Sequence, residues 1–341
     1  MKWVLRERVN ELTGERVGGC EMKFWMHVVM GVMAAFSVGV AAAQSYPVRP
    51  VRVVIPWPPG GANDIVGRIV AQKLGEQLGQ QFIVDNRGGA AGTIGADMVA
   101  KAPADGHTLM VHSATHVTNP HLYKKLPYDT LKDFTGVTAL AVQVGMLVVH
   151  PSLPVKNVKD FVALGRARPG QLVYGSSGSG SFVHLGMALI NAMTNTQMVH
   201  VPFKGGGPAV VALASGEIQA MVATIGSVIP HLPSGRLRAL GVTSTTRVKQ
   251  FADVPAIAEG VPGYEFVAWI GAFVASGTPR AIVDRLNAEM KKVLELPDVV
   301  KIMSGQTLDP MYMTPEQFAA RLKTDYDKYE KLVKLTGVTS N

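Results

Sequence analysis

The chain has 341 residues, 47% of them hydrophobic and 17% charged, and a formal net charge of +8. This is enough apolar sequence for one large or two smaller cores, and it excludes a disordered or low-complexity chain. The basic excess suits anionic small molecules or surfaces in a general way, but the Lys and Arg residues are scattered without basic runs or interleaved aromatics, which argues against nucleic-acid binding.

Residues 1–21 are charged and non-periodic, and are expected to be an extension ahead of a true start at Met22. From Met22 the parts of an export signal follow in order: Lys23, an apolar run from Phe24 to Val40, and Ala41-Ala42-Ala43 as an A-x-A cleavage site. The run is at the lower edge for a membrane span, so an uncleaved anchor is the competing reading. The small residues and the turn-forming QSYPVRP favour cleavage near Ala43 and export. Cys20 lies upstream of that site, so the mature chain has no cysteine and depends on its core alone for stability. The charged stretch before VGGC argues against lipidation of Cys20. Residues 1–43 carry five Lys/Arg and four Asp/Glu, which leaves the mature chain at +7.

From Val51 strand-like runs alternate with helical patterns. VRVVI (51–55) precedes a helix carrying Ile65, Val66, Ile69, Val70, Leu74 and Leu78 on one face. FIVD (82–85), a helix near Ile94 to Lys101 and the strand HTLMVHS (107–113) follow. This βαβα order predicts a parallel sheet covered by helices. A second series opens with the apolar run VGMLVVH (144–150). It continues with a helix near 158–167, LVYGSS (172–177), a helix from about Phe182 to Met193, MVHVPFK (198–204), a helix from Ala209 to Ala214, AMVATIG (220–226) and LRALGVTS (237–244). FVAWIGAFVASG (266–277) then leads into two helices. One opens at Pro279 as its first helical residue; the other opens at Thr314, with Gln317 completing a T-x-x-Q capping box. The runs 144–150 and 266–277 each stand between two α/β blocks. The expected layout is a first lobe of 46–144 plus 268–341 and an inserted second lobe of 145–267, joined by two crossing strands as a hinge.

Three loops share one grammar of strand, Gly-rich turn and helix N-terminus: PWPPGGAND (56–64), YGSSGSGSF (174–182) and FKGGGPA (203–209). A helix start leaves backbone N–H groups without partners and carries partial positive charge. Gly lets a ligand approach that backbone, so such a terminus binds anions without Arg or Lys. In parallel α/β sheets, ligands bind beyond the carboxyl ends of strands, where these loops lie. Each loop alone reads as ordinary turn chemistry; three over two lobes point to a shared cleft.

Enzyme motifs fail. G-x-G-x-x-G is missed at Val183 and at Val210, no G-x-x-x-x-G-K-[ST] occurs, and G-x-S-x-G is missed at Ser179. Ser177 and Ser181 therefore read as hydrogen-bonding hydroxyls rather than nucleophiles. His112, His116 and His121 cluster in sequence, but His112 ends a strand and His116 falls in a predicted loop with Asn119 and Pro120, without an H-E-x-x-H pattern, so no metal site is expected. His184 sits in the first turn after the Ser/Gly loop, either facing the cleft or lying on the helix surface.

The same loops carry a family resemblance. The segment from Tyr46 through VRVVIPWPPGGANDIVGRIVAQKLGEQLGQQFIVDNRGGAAGTIGADMVAKAPADGHTLM resembles the Bug family, the substrate-binding proteins of tripartite tricarboxylate transporters (TctC-like). So do LYKKLPYDTLKDF, RARPGQLVYGSSGSGS, VHVPFKGGGPAVVALASGEI, LRALGVTS and DVPAIAEGVPGYE, in the family's order over roughly residues 46–335. The resemblance implies an α/β fold of the periplasmic binding protein type II kind: two α/β lobes, a two-strand hinge and a central ligand cleft. It implies two arms of a pincer on a carboxylated ligand. The first is Pro59, Gly60, Gly61, Ala62 and Asp64; the second is Lys204, Gly205, Gly206 and Gly207. Ser113, Thr115, Ser176, Ser177 and Ser181 match other cleft-lining positions, with His184 just behind. Asp64 either caps its helix or accepts a hydrogen bond from an amine or water at the ligand. Trp57 either covers the site or packs at the lobe edge. Where family members often carry an Asp-Asn-like pair, this chain has Ala223 and Thr224, which removes a polar contact from the second lobe.

The leading expectation is a monomeric periplasmic solute-binding protein without catalytic residues, cofactor or metal. Its partners would be a small carboxylate and the membrane permease subunits of a tripartite tricarboxylate transporter. The alternatives are a sensing module for a membrane sensor kinase, and an α/β enzyme acting on carboxylates or phosphates.

Overall fold

In a computed structural model of the chain, residues 46–339 can be described. The described residues from Pro47 onward form one compact unit. The signal peptide, its cleavage site and Cys20 lie outside the described residues.

The strands are β1 (Val51–Ile55), β2 (Phe82–Asn86), β3 (Thr108–Ser113), β4 (Phe134–Val149), β5 (Val173–Ser176), β6 (Val199–Pro202), β7 (Ala220–Thr224), β8 (Arg238–Val242) and β9 (Val267–Ala275). They pair in the order β2-β1-β3-β9-β4-β7-β5-β6, with β8 also on β4. β1 runs parallel to β2 and β3, and β5 runs parallel to β6 and β7. The pairings β3–β9, β4–β9 and β4–β7 are antiparallel.

The run expected at 144–150 is the end of a sixteen-residue strand. Up to Val144, β4 pairs with β9, the last pair being Val144 with Val267. From Gly145 it pairs instead with β7, Gly145 facing Thr224. Gly145 lets the backbones come close there: a Cβ would lie 2.9 Å from Val222 Cγ1 and 3.0 Å from Phe182 Cε1. Its N–H donates to Thr243 Oγ1 at 2.7 Å.

The helices are α1 (Ala62–Leu78), α2 (Thr93–Ala100), α3 (Thr115–Leu122), α4 (Val158–Ala167), α5 (Phe182–Thr194), α6 (Gly206–Ala214), α7 (Ile225–Val228), α8 (Arg280–Glu295), α9 (Pro297–Gly305) and α10 (Pro315–Thr336). Three expectations need correction. The loop predicted around His116, Asn119 and Pro120 is helix α3. Pro120 lies in the last turn of this short helix, where it forgoes one intrahelical N–H bond, and the Asn119 side chain ties the segment down by donating to Ala91 O at 3.1 Å. The C-terminal part has α9 as an additional helix, opening on Pro297. Pro279 is the N-cap of α8, with ψ 133°, rather than its first helical residue. The capping box of α10 forms as read, Thr314 Oγ1 accepting from Gln317 N and the Gln317 side chain accepting from Thr314 N.

Trp269 and Phe273 of β9 pack on Phe318 of α10, with ring centroids 5.1 and 5.3 Å from it. The buried Trp269 indole donates to Asp325 Oδ2 at 2.7 Å, and Arg321 holds the same oxygen. This anchors α10 against the middle of the sheet.

Candidate ligand-binding site

The carboxyl ends of β1, β3, β5 and β6 run into the starts of α1, α3, α5 and α6. All four helix starts border one cavity. It contains about 640 Å³ of empty space, part of it open to solvent.

Each element contributes through its first turn. Ala62 and Asn63 come from α1, Thr115 from α3, Phe182 and Val183 from α5, and Gly206, Gly207 and Pro208 from α6. The N-caps of α1, α3 and α6 are Gly61, Ala114 and Gly205, and no side chain caps these three helices. At α5, Ser181 Oγ accepts from His184 N at 3.3 Å. Among the described residues, none that lines the cavity has a charged side chain. The wall's polar groups are hydroxyls and carboxamides, and Trp57, Pro58, Phe182, Val183 and Met221 supply apolar surface. Uncapped N-termini converging on an uncharged, partly enclosed space can hold an anion through backbone N–H groups and helix dipoles.

Of the residues assigned to the first arm, Pro59, Gly61 and Ala62 line the cavity. Gly60, with φ 90°, borders an adjoining recess. Asp64 does not line the cavity; it is buried behind the loop. Its Oδ2 accepts from Gly60 N at 2.9 Å, Arg68 Nε donates to both carboxylate oxygens at 3.0 Å, and Asn86 Nδ2 donates to Oδ1 at 2.9 Å. The same Asn86 amide donates to Trp57 O at 3.0 Å. Asp64 therefore fastens the loop rather than contacting the cavity space. Burial pushes its carboxyl up, but the hydrogen bonds from Arg68, Gly60 and Asn86 outweigh burial and hold it below the ordinary carboxylate value.

A group held low in this way contributes stability above its unfolded value of 3.8, which is lost as pH falls through the lower folded value. Asp64→Asn is expected to weaken binding about tenfold through loss of loop order. It should lower stability by about 1–3 kcal/mol, because partners are left unsatisfied. Titration calorimetry with melting curves at neutral pH checks both; an unchanged melting temperature would contradict the fastening role.

Of the second arm, Gly206 and Gly207 line the cavity. Lys204 is exposed and does not. Gly205 sits where the two loops meet, with φ 115° and its α-carbon so near Pro58 that a Cβ would lie 2.9 Å from Pro58 Cγ. The structure starts α6 at Gly206 rather than Ala209, since Pro208 is tolerated in a first helical turn. Ser113, Thr115, Ser177, Ser181 and Thr224 all line the space. Ser113 Oγ donates to Thr115 Oγ1 at 3.2 Å, and Thr224 Oγ1 donates to Ser227 Oγ at 3.1 Å.

Ser176 and His184 do not line the cavity; they support the Ser/Gly loop from behind. Ser176 Oγ lies 2.6 Å from His200 Nε2, and His184 Nδ1 accepts from Gly180 N at 3.0 Å. The two imidazoles stack with centroids 3.6 Å apart and planes 10° apart. Burial, reinforced by the neighbouring His200, pushes His184 down to about 3; burial pushes His200 down to about 4. Both rings are therefore neutral at pH 7.

Trp57 lines the cavity, and its indole donates to Nδ1 of the buried His112 at 3.2 Å. His112 and His116 lie 5.5 Å apart between β3 and α3, while His121 packs on Tyr326. Among the described residues no group of three or more His, Cys, Asp or Glu is placed to hold a metal ion.

Sequence reasoning passed over Asn63, Gln143, Met221 and Ser227, which also line the cavity. For Gln143 a signal existed: it is a lone polar residue in the apolar run from Leu140 to Val149.

The chain matches the family model described as "Tripartite tricarboxylate transporter family receptor" (TctC) over residues 66–338. Among solved structures it is similar to Rpa4515 of R. palustris with adipate. That comparison has a TM-score of 0.83 and 35% identity, and covers 86% of this chain and 99% of that one. It is similar to the periplasmic binding protein BugD, with a TM-score of 0.82 and 28% identity over 87% of this chain and 100% of that one. It is also similar to MatC of Rhodopseudomonas palustris with bound malate, with a TM-score of 0.79 and 32% identity over 84% and 100% of the two chains. The expected α/β periplasmic binding protein fold is therefore the observed one. With its fold and almost its whole described length matched by non-enzymatic receptors, the chain belongs to the TctC (Bug) family of solute-binding proteins of tripartite tricarboxylate transporters.

Proposed function

We propose that the cavity captures a small carboxylate through the N-termini of α1, α3, α5 and α6. The observation that carries this reading is the convergence of four helix starts, three of them without a side-chain cap, on a cavity wall without a charged side chain. A carboxylate there would meet backbone N–H donors in a poorly hydrated space, where water competes weakly. Adipate in Rpa4515 and malate in MatC agree with this ligand class.

Capture would proceed by closure of two lobes, 46–144 plus 268–341 and 145–267, about a hinge where β4 changes partner between Val144 and Gly145. The chain would be exported, cleaved near Ala43 and act as a monomer. The loaded form would deliver its solute to the membrane subunits of a tripartite tricarboxylate transporter.

Mass spectrometry of the supernatant from denatured protein should find a small carboxylate. After the protein is unfolded and refolded, that acid at 100 times its dissociation constant should stabilise it by about 2.7 kcal/mol. This corresponds to a melting-temperature rise of roughly 4–5 °C. No rise with any di- or tricarboxylate, amino acid or aromatic acid on ligand-free protein would overturn the reading.

A further inference from the structure

Gln143 lies on β4 next to the point where that strand changes partner, paired with Ala268. Its side chain is 97% buried, with 3% exposure, and its Oε1 has no hydrogen-bond partner. It borders the main cavity on one side. On the other it borders a more enclosed recess of about 250 Å³ walled by Ile65, Val144, Ile225 and Leu308. Gln306 stands at that recess too, packed over Gly226 so closely that a Cβ on Gly226 would lie 2.4 Å from Gln306 Oε1. Ala62, Thr224 and Ser227 border both spaces. Asn63 repeats the chemistry near the helix starts: it is buried, it lines the main cavity, and its Oδ1 has no partner.

Buried carboxamide oxygens are nearly always paired in folded proteins, so two unpaired ones at the same cavity call for a ligand group that reaches them. The carboxylate end of a ligand is served by the helix N-termini. Its other end meets a wall without cations. A carboxamide is suited to that end, because it can present either donor or acceptor to a hydroxyl or a second carboxyl.

We propose that Gln143 determines which carboxylate this cavity takes. Its carboxamide meets the polar group at the ligand's far end, and its side chain partitions the cavity from the recess and so limits ligand length. The proposal rests on the reading of the cavity as a carboxylate site. Truncating Gln143 joins the two spaces and frees the room that its own side-chain carbons fill, in which each added methylene gains up to roughly fourfold in affinity. Leu in its place keeps the partition and removes the hydrogen bonds. Glu keeps the shape and adds a negative charge that no cation in the cavity wall offsets.

The test is calorimetry on ligand-stripped, refolded protein with unbranched α,ω-dicarboxylates from succinate to azelate. Wild type, Gln143→Ala, Gln143→Leu and Gln143→Glu are compared, with melting curves without ligand to confirm folding. Gln143→Ala should move the preferred acid toward longer chains by about two methylenes, the span of the lost side-chain carbons. Gln143→Leu should keep the wild-type length preference and bind about tenfold more weakly. Gln143→Glu should bind none of the acids measurably at neutral pH. A wild type that binds these acids with a length preference unchanged in Gln143→Ala would overturn this inference and leave the carboxylate reading standing. A wild type that binds none of them would overturn this inference alone; the carboxylate reading falls only when tricarboxylates, amino acids and aromatic acids fail to bind as well.

Discussion

Gly206→Val is expected to lower ligand affinity by at least about 100-fold, or about 3 kcal/mol, while the ligand-free protein melts close to wild type. Gly206 is the first residue of α6 and lines the cavity. A Cβ built there meets nothing within 4 Å, so the fold has room for the new side chain. The space it fills is the approach to the helix start, where the ligand's carboxylate would lie. Gly61→Val should act in the same way at α1, since Gly61 also has nothing within 4 Å of a Cβ and has φ −87°, which a branched residue can adopt. It should cost about 1 kcal/mol more in stability, because Val is a poor N-cap. Lys204→Ala provides the contrast. Lys204 is exposed and off the cavity wall, and its loss should change affinity by about twofold or less, as expected for a distant, solvent-screened charge. Isothermal titration with the acid recovered from the purified protein measures all three. A larger loss for Lys204→Ala than for Gly206→Val would refute capture by helix termini.

Acid is expected to unfold this protein well before its carboxylates titrate. His112 and His116 are fully buried, and His184 is 5% exposed. Burial holds all three far below the ordinary imidazole value of 6.5, with His116 and His184 at about 3. The unfolded chain therefore binds protons near pH 6.5 that the folded chain refuses until well below it, near pH 3 at His116 and His184. Over that window the unfolded state carries more protons, so stability is complete above pH 6.5 and falls as pH drops. At pH 5 His116 and His184 each cost about 2 kcal/mol, together a large part of the whole stability of an ordinary domain, and His112 adds to the loss in the same direction. Circular dichroism at constant ionic strength should show the melting temperature falling steeply from pH 7 to pH 5. His116→Leu should flatten that slope, because it removes one site from a pocket formed by Tyr128, Phe134 and Phe273. A melting temperature that stays level over this range would contradict the neutral-histidine core.

Much of the layout was legible because local signals agree with the global fold. VRVVI, HTLMVHS and AMVATIG become β1, β3 and β7 with ends shifted by a residue or two, and T-x-x-Q caps α10. The first half of β4 was not legible. Register shifts between Gly136 and Thr138 and between Ala139 and Ala141 break its period of two. The ring of Phe318 requires two glycines: a Cβ on Gly136 or Gly271 would lie 2.7 or 2.4 Å from it. Glycine in a strand reads as a break unless the helix lying across it is known. Helix α3 was hidden in the same way by Pro120, a residue that signals a turn unless the helix ends just beyond it.

What the sequence by itself determined was where α4, α5 and α10 begin and that three of the strand-to-helix loops are built of the small and rigid residues that expose backbone. Those features depend on residues within one turn of each other, through Gly, Pro and capping chemistry. It did not decide which side chains face the site. Asp64 and His184 follow their helix starts as closely as Asn63 and Val183 do, yet the first pair turns to the supporting layer and the second lines the cavity. That choice was made by tertiary partners: Asn86 of β2 holds Asp64 alongside its helix neighbour Arg68, and His200 stacks on His184. The convergence of α1, α3, α5 and α6 is likewise set by pairing β4 with β9 on one side and with β7 on the other. Those pairings join segments more than a hundred residues apart in places, at a separation where local propensity has no influence. Gln143 comes to the cavity only through that long-range pairing.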